Sequence, residues 1–226
     1  MRIAVLGTGT VGRALAGRLS ELGHDVMVGT RDVGDTMART EPDGMGNPPF
    51  PMWAAAHPAV KVGDLAEAAV HGELVVNATS GAASVAVLQA AGEGSLAGKV
   101  VIDVANPLDF SHGRPPTLLV KDTDSLGEQI QAAFPTARVV KTLNTMNARL
   151  MADPKQLADG DHSVFVSGND ADAKAVVTGL LHELGHTDVI DLGDITTARG
   201  PEMVLPIWVR LMGPMGTPLF NFKIVR

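Results

Sequence analysis

The sequence predicts an α/β fold with a doubly wound, mainly parallel sheet and a small C-terminal extension. Two observations indicate this fold class. The chain opens on a short apolar run that leads into a glycine-rich turn and a helix pattern, and strand and helix patterns then alternate along most of its 226 residues. A chain of this length can bury one sizeable domain, or one domain with a small appendage.

The opening segment has the pattern of a dinucleotide-binding turn. The apolar run 2–6 feeds directly into Gly7-Thr8-Gly9-Thr10-Val11-Gly12, which has G-x-G-x-x-G spacing. In such a turn the first glycine permits the tight bend, the second lets the backbone approach a pyrophosphate, and the third lets the helix lie close to the sheet. The helix pattern ends at Gly23, and residues 25–30 have a strand pattern. This context favours a Rossmann-type nucleotide site over a glycine turn with only a structural role.

The end of the second predicted strand indicates which dinucleotide binds. An NAD site usually has an acidic residue there, about twenty residues past the glycines. This chain has Thr30 and Arg31 instead, and Asp32, which follows, is expected to point away. A guanidinium can bond a 2′-phosphate through two N–H groups, and a threonine hydroxyl can add a third bond. We therefore predict NADP(H), with a solvated surface role for Arg31 as the alternative.

Strand and helix patterns alternate from residue 60 onwards. The predicted strands are 60–62, 73–79, 99–105, 138–143, 162–166 and 188–192, and the predicted helices are 64–71, 83–91, 124–134 and 171–184. Such alternation indicates a parallel sheet covered on both faces. We expect an NADP-binding Rossmann domain at residues 1–150 and a small C-terminal subdomain at 151–226, packed on the first and completing the substrate site. The last strand-helix-strand unit either extends the sheet or belongs to that subdomain.

Polar residues follow three of the predicted strands. They are Asn77-Ala78-Thr79-Ser80, Asn106-Pro107 and Asn144-Thr145. Ligands of an open parallel sheet bind beyond the carboxyl ends of its strands, where the glycine-rich turn is also expected. Carboxamides and hydroxyls there can bond a nicotinamide amide, a ribose or a second ring, so we predict cofactor contacts from Ala78, Thr79 and Ser80. The alternative is that these residues cap the helices that follow.

Two segments do not follow the alternation. Residues 32–58 form a long irregular stretch with five prolines, in which Phe50, Met52 and Trp53 favour a packed loop that either covers the sheet or lies beside the ligand. Residues 201–222 are too apolar to be solvated. This tail is expected either to pack as core or to supply a substrate wall or subunit interface.

One histidine motif needs a structural test. His182-Glu183-Leu184-Gly185-His186 fits H-E-x-x-H, which on a continuous helix would suit zinc. Gly185 is expected to end the helix, and that would remove His186 from the shared face. The same Glu-Leu-Gly-His occurs at residues 21–24, which indicates one turn used twice. We therefore predict no metal site.

Composition excludes several kinds of chemistry. The net charge of −7 argues against nucleic acid as a partner. The chain has no cysteine and no tyrosine, which excludes disulfides, thiolate nucleophiles and proton donation by tyrosine. We predict no catalytic side chain and a reaction with little proton transfer, such as hydride exchange between two rings. With no charged leader or long apolar segment, a soluble cytoplasmic protein without membrane contact is expected.

The chain resembles the NADP oxidoreductases that depend on the deazaflavin coenzyme F420, in their bacterial branch. The resemblance covers nearly the whole chain and rests on residues 2–12, Gly29-Thr30-Arg31, Val75-Val76-Asn77-Ala78-Thr79 and Lys141-Thr142-Leu143-Asn144. Segments 41–50 and 220–224 resemble the bacterial branch. The resemblance implies a compact Rossmann domain with a small C-terminal portion, a homodimer, and hydride transfer between nicotinamide C4 and the deazaflavin ring.

The resemblance also implies roles for particular residues. Residues 8–11 would bind the pyrophosphate, Thr30 and Arg31 the 2′-phosphate, and Val104, Asn106 and Asn144 would lie near the nicotinamide. Archaeal members carry a further basic residue shortly after the arginine, where this chain has Asp32-Val33-Gly34-Asp35. The NADP preference therefore rests on fewer groups. The acidic parts of the coenzyme could meet Arg114, Lys141, Arg149 or Arg199.

Other functions fit the same residues. A reductase of another acceptor, either a flavin or ferric ion or a small imine or carbonyl, would use the same nucleotide site. Imine and hydroxy-acid reductases generally add a large helical domain, for which this chain is too short. A non-catalytic NADP-binding protein would bind the nucleotide and reduce nothing.

Overall fold

A computed structural model describes residues 1–44 and 46–226. Met45, in the segment 41–50 that carries part of the resemblance, lies outside the described residues. Within the described part, one eight-stranded sheet forms the centre of the molecule, and a short ribbon lies beside it. The sheet strands are β1 (Arg2–Leu6), β2 (Asp25–Thr30), β3 (Lys61–Asp64), β4 (Leu74–Asn77), β5 (Val100–Asp103), β8 (Arg138–Thr142), β9 (Ser163–Gly168) and β10 (Asp188–Gly193), and the ribbon pairs β6 (Leu108–Asp109) with β7 (Thr117–Leu118).

Helices connect the strands and cover both faces of the sheet. They are α1 (Thr10–Glu21), α2 (Val33–Met37), α3 (Phe50–Ala56), α4 (Leu65–His71), α5 (Ser84–Ala91), α6 (Glu93–Leu96), α7 (Leu126–Ala133), α8 (Ala148–Ala152), α9 (Ala171–Leu184), α10 (Arg199–Met203) and α11 (Leu205–Met215). Short 3₁₀ turns lie at Gly81–Ala83, Pro154–Gln156, Ala158–Gly160 and Ile195–Ala198.

The strand order places the expected site at one edge of the sheet. The order is β3-β2-β1-β4-β5-β8-β9-β10, and all neighbours are parallel except β8 and β9. The chain reverses its direction of winding between β1 and β4, which is the switch point where open α/β sheets bind ligands. The predicted α/β fold of the Rossmann type is therefore confirmed.

The sheet is hydrophobic on both faces. β4 and β5 are buried along their whole length, as expected for central parallel strands. In β1 the side chains alternate, so that Ile3 and Val5 join the core formed with α1 and α9, whereas Ala4 and Leu6 join the core formed with α4, α5 and α7. These two apolar layers hold β1 rigidly beneath the glycine-rich turn.

The structure resolves what the sequence left open about the two atypical segments. The stretch 32–58, expected to be irregular, contains α2 and α3, and Phe50 is fully buried, so it is a packed segment. The apolar tail forms α10 and α11, in which Leu205 is buried and Ile207 is 54% exposed. The last strand-helix-strand unit extends the sheet. The division at residue 150 stays a prediction.

The repeated Glu-Leu-Gly-His sequence forms the same helix-ending turn twice. Gly23 and Gly185 have φ values of +88° and +107°, which glycine adopts without strain. The amide of His24 donates to Leu19 O at 3.1 Å, and that of His186 donates to Leu181 O at 2.9 Å. This is the Schellman geometry, and it confirms that Gly185 ends α9. In the described residues, no cluster of three or more potential metal ligands is present, and none of the described helices is long and apolar enough to cross a membrane.

Candidate functional site at the carboxyl edge of the sheet

The glycine-rich turn connects β1 to α1, and its three glycines meet different surroundings. A Cβ on Gly7, whose φ is +124°, would lie 2.6 Å from Ala78 O, and a Cβ on Gly12 would lie 2.0 Å from Gly7 O. A Cβ on Gly9 would meet no atom within 4 Å. Gly7 and Gly12 are therefore required by the packing of the turn, whereas Gly9 borders open space. Among the described residues no side chain caps α1, so its first turn faces that space with donors available to a ligand.

A crevice of about 250 Å³ opens beside this turn. It brings together most of the predicted nucleotide contacts, and Thr10, Val11 and Gly12 adjoin it in the first turn of α1. The residues that line it are Gly7, Thr8, Gly9, Gly29, Thr30, Arg31, Arg39, Leu65, Ala78, Thr79, Ser80, Ala83 and Val87. The crevice combines backbone donors, hydroxyls and two guanidinium groups, which suits an anionic ligand.

Arg39 was not found by sequence reasoning. Its guanidinium donates to Thr8 Oγ1 and to Thr36 Oγ1, each at 3.3 Å, and Thr36 shares a 2.8 Å hydrogen bond with Thr30. Asp32, as expected, does not face the crevice, because it caps α2 by accepting from Asp35 N at 2.8 Å. The crevice therefore has a second basic residue, Arg39, although the residues directly after Arg31 include only acidic charges, Asp32 and Asp35.

The signal that could have found Arg39 lies in α2. Asp32 followed three residues later by Asp35 is a weak form of the helix-start pattern. A five-residue helix turns the chain back so that Arg39 reaches Thr8, although 31 residues separate them. The sequence predicts an irregular segment here because α2 is too short to show a periodic pattern.

Polar residues at the end of β4 form a buried network. The Asn77 amide donates to Ser84 Oγ at 3.0 Å and to Asp103 Oδ1 at 2.9 Å, and Thr79 Oγ1 donates to Asn77 Oδ1 at 2.7 Å. Asn77 is fully buried. Its carboxamide thus supports Thr79, which borders the crevice, and does not itself face a ligand.

Asn106 and Asn144 meet across the ends of β5 and β8. Asn144 Nδ2 donates to Asn106 Oδ1 at 3.1 Å, and Asn106 Nδ2 donates to Asn144 O at 3.0 Å. A further bond of 3.1 Å joins Asn144 Nδ2 to Pro201 O, just before α10 ends. Val104 is buried beneath them. These three residues do not line the crevice itself, and their contact with nicotinamide stays a prediction.

Two of the four cations suggested for an acidic ligand have partners inside the protein. Lys141 is wrong as a candidate, because its Nζ is fully buried between Asp103 Oδ2 at 2.8 Å and Glu202 Oε1 at 2.9 Å. Burial alone would lower the pKa of Lys141, but the charges of Asp103 and Glu202 raise it above its usual value. Arg199 bonds Glu128 through two nitrogens, at 2.8 and 2.5 Å. Arg114 and Arg149 are exposed.

An apolar groove of about 730 Å³ begins where β5 and β8 end. Its walls come from the β6 and β7 region, from Asn147 and from α11, and they comprise Leu108, Phe110, Arg114, Pro115, Pro116, Asn147, Trp208, Val209, Met212, Gly213, Gly216, Thr217 and Pro218. Trp208 stacks on Phe220, with ring centroids 5.1 Å apart. Its indole Nε1 is shielded from solvent and has no hydrogen-bond partner among the described residues. The groove can therefore hold a flat ring against an aromatic wall.

The comparisons with known proteins agree with this geometry. A family model described as NADP oxidoreductase coenzyme F420-dependent matches residues 2–107. A solved structure from Arthrobacter sp. FB24, provisionally described as an F420-dependent NADP-reductase, is 65% identical, with both chains covered completely and a TM-score of 0.97. The chain belongs to the F420-dependent NADP oxidoreductase family.

More distant relatives extend along most of the chain. The F420-dependent NADP reductase of Methanothermobacter marburgensis is 27% identical over 93% of this chain and 92% of that protein. The metalloreductase STEAP3 of Rattus norvegicus is 27% identical over 92% of this chain. This chain spans 38% of STEAP3 and 52% of the F420-dependent NADP reductase of Methanocaldococcus jannaschii. The family to which this chain belongs is one of NADP-dependent oxidoreductases.

Proposed function

We propose that the protein transfers a hydride between NADP(H) and the deazaflavin coenzyme F420. The observation that carries the proposal is the arrangement of two binding spaces. The crevice is lined by residues that follow β1, β2 and β4, and the apolar groove by residues that follow β5 and β8, so both lie on the carboxyl side of the sheet. Asn106, which is paired with Asn144, packs against Gly81 beside the crevice. Its backbone oxygen also accepts from the amide of the groove residue Leu108 at 2.8 Å. A protein that exchanges a hydride between two rings needs both spaces and no acid or base.

The crevice fits the adenosine end of NADP(H). Gly9 leaves room for a pyrophosphate against the first turn of α1. Arg31 and Arg39, with Thr30 beside them, would hold the 2′-phosphate. Arg39 would supply the second basic group that archaeal members place a few residues after the arginine. This arrangement favours NADP(H) over NAD(H), because two guanidinium groups without a neighbouring phosphate would repel one another.

The asparagine pair would position the nicotinamide. Reduced nicotinamide supplies a hydride from C4, and an oxidised deazaflavin accepts it. Val104, Asn106 and Asn144 would contact the ring where it leaves the crevice, and the mutual bonds of the two asparagines fix their carboxamides. The contribution of the protein is then to hold two rings at reacting distance and to exclude water.

The groove would hold the deazaflavin. Its apolar walls suit a planar ring, which would pack against the indole of Trp208. Arg114, which lies over the Phe110 ring at 5.6 Å, stands at the rim where an acidic tail would leave the groove. Arg149 is the second exposed cation suggested for that tail. Assembly as a homodimer and a cytoplasmic location stay predictions of the resemblance.

The proposal is tested by mixing the purified protein with NADPH and oxidised F420 and following the absorbance of the deazaflavin. We expect the deazaflavin to bleach over many turnovers. Parallel assays offer FMN, FAD, a ferric chelate and a small cyclic imine in place of F420. Turnover with one of these and none with F420 would assign another acceptor, and NADPH binding without any turnover would assign a non-catalytic role.

A further inference from the structure

The packed segment after α2 makes contacts that the proposed reaction does not use. Four of its residues, Asp43, Asn47, Pro48 and Phe50, lie against the start of α1, and we call them the clasp. Asn47 Nδ2 donates to Thr10 Oγ1 at 2.6 Å. Arg13, on α1, donates to Pro48 O and to Thr8 O, the latter at 2.8 Å. Two of these bonds tie the clasp to the start of α1, and the third ties Arg13 to the glycine-rich turn.

Arg13 is a buried cation that donates its hydrogen bonds to two backbone carbonyls. Its side chain is 8% exposed, its guanidinium lies 5.5 Å above the Phe50 ring, and Asp43 Oδ2 is 3.9 Å away. Desolvation lowers the pKa of Arg13, while Asp43 opposes that shift. Burying a charge is costly unless hydrogen bonds and an opposite charge accompany it. The clasp supplies all of these, which indicates that the position of Arg13 matters.

The bond from Arg13 to Thr8 O fixes the direction of one peptide unit. In a trans peptide the C=O and the following N–H point in opposite directions. Because Thr8 O is held on the side of Arg13, the Gly9 N–H is directed to the opposite side. Gly9 borders the open crevice, so this N–H is available to an anion there.

Asn47 fixes the direction of a hydroxyl. Asp43 lies 2.9 and 3.0 Å from Asn47 Nδ2 and can only accept, so this atom is the amide nitrogen. The same nitrogen donates to Thr10 Oγ1, which must therefore accept and is left with its hydrogen free for another partner. A chain from carboxylate to amide to hydroxyl also polarises each bond in it. The Thr10 hydroxyl is thereby prepared as a donor.

We propose that Arg13 and Asn47 are positioning residues that aim the donors of the glycine-rich turn at a bound diphosphate. The clasp is the part of the fold that holds them in place. This inference rests on the proposed binding of NADP(H), and it gives the segment after α2 a role beside the ligand. Neither residue needs to contact the nucleotide.

The test separates the diphosphate from the 2′-phosphate. NADPH binding is measured by calorimetry, and binding of 2′-AMP, which has a 2′-phosphate and no diphosphate, by an NMR titration. We expect Arg13→Met to weaken NADPH about tenfold or more, equivalent to one lost charge-assisted hydrogen bond, and to leave 2′-AMP within twofold. Asn47→Ala should weaken the binding of NADPH by a smaller factor. Arg13→Lys should recover part of the affinity.

Arg39→Met is the matched control, since it should weaken both ligands. The inference would be overturned if Arg13→Met and Asn47→Ala both bound NADPH as tightly as the wild type does. It would also be overturned if both variants lost affinity for NADPH and for 2′-AMP by the same factor. If Arg13→Met fails to fold, Asn47→Ala, which removes a partly exposed amide, carries the test alone. A wild-type protein that does not bind NADPH would refute the proposed function as well, whereas wild-type binding with unaffected variants refutes only this inference.

Discussion

Lys141 Nζ lies 2.8 Å from Asp103 Oδ2, and both side chains are fully buried. The same ammonium contacts Ala105 O at 2.6 Å and Glu202 Oε1 at 2.9 Å. Glu202 in turn accepts from the amides of Leu126 and Gly127, at 2.8 and 3.1 Å. One lysine therefore joins the ends of β5 and β8 to α10 and to the start of α7, directly behind the asparagine pair.

We predict that Lys141→Met destabilises the protein strongly. The substitution leaves two buried carboxylates without a cation, and breaking a buried pair in this way costs about 3–5 kcal/mol. The free energy of unfolding from urea titration measures the loss. The double variant Lys141→Met with Glu202→Gln should recover part of it, because one uncompensated charge is removed. A double variant less stable than the single one would contradict this explanation.

Glycine substitutions should separate folding from binding. Gly12→Ala places a Cβ 2.0 Å from Gly7 O, so we expect a loss of about 1–3 kcal/mol in unfolding free energy from overpacking. Gly9→Ala meets no atom, so its melting temperature should equal that of the wild type. A methyl group on Gly9 would still obstruct a diphosphate, and NADPH affinity should fall about tenfold, or 1.4 kcal/mol. Unchanged affinity in Gly9→Ala would place the diphosphate elsewhere.

The sequence was sufficient to predict the glycine-rich turn and the strands that support it. Residues 2–12 determine their own conformation locally, because an apolar strand, a turn that only glycine can form and an amphipathic helix follow one another. The central strands can also be predicted from the sequence, since a strand that is buried on both faces is a continuous apolar run. Helix α9 begins and ends at the predicted residues, 171 and 184, because Asp170 caps one end and Gly185 the other.

The missed features depend on contacts between distant parts of the chain. Arg39 reaches Thr8 only because α2 turns the chain back. Lys141 forms an ion pair with Glu202, which lies 61 positions later in the sequence. A lysine at the end of a strand looks like a surface or ligand-binding cation until the residues packed around it are known. The groove is likewise formed by the β6 and β7 region and by α11, which share no local pattern.

We predict that Arg31→Ala and Arg39→Ala each weaken NADPH far more than NADH. A hydrogen bond to a charged group contributes about 1.5–3 kcal/mol, so each loss should be about 10- to 100-fold. Calorimetric titration with both nucleotides gives the ratio. Arg18→Ala, which removes an exposed partner of Glu21 on the outer part of α1, is the control and should change neither affinity. Equal losses of NADPH and NADH in the Arg39 variant would remove its 2′-phosphate role.

The groove is tested by Trp208→Phe. Phenylalanine can keep the stacking on Phe220 and removes the indole N–H. Phenylalanine also removes part of the apolar wall, so if the second substrate packs against Trp208, the KM for F420 should rise about fivefold, the effect of about 1 kcal/mol of lost apolar contact. The KM for NADPH should stay unchanged. A rise in both values would indicate general loosening of the groove.

Stability should fall in mild acid because of His186. This residue is 1% exposed, its Nε2 bonds Met151 O at 3.1 Å, and its Nδ1 has no partner among the described residues. Burial lowers the pKa of His186 from 6.5 to about 4, although the bond to Met151 O opposes the shift. His162, whose ring lies 6.2 Å away, and His182 lower it further.

The sign of the effect follows from where the proton binds. Between pH 6.5 and about 4 the unfolded chain is protonated at His186 and the folded protein is not, so acid favours the unfolded chain. The contribution of His186 to the free energy of unfolding is fully present above pH 6.5 and is lost as the pH falls to about 4. Since a pKa shift of one unit corresponds to 1.36 kcal/mol, the total loss should be about 3 kcal/mol. Urea titrations at steps between pH 7 and pH 4 should show this decline. His186→Gln keeps a donor for Met151 O without a titrating ring, so its unfolding free energy should change less over that pH range. If its unfolding free energy fell with pH as steeply as that of the wild type, the acid sensitivity would belong to other groups.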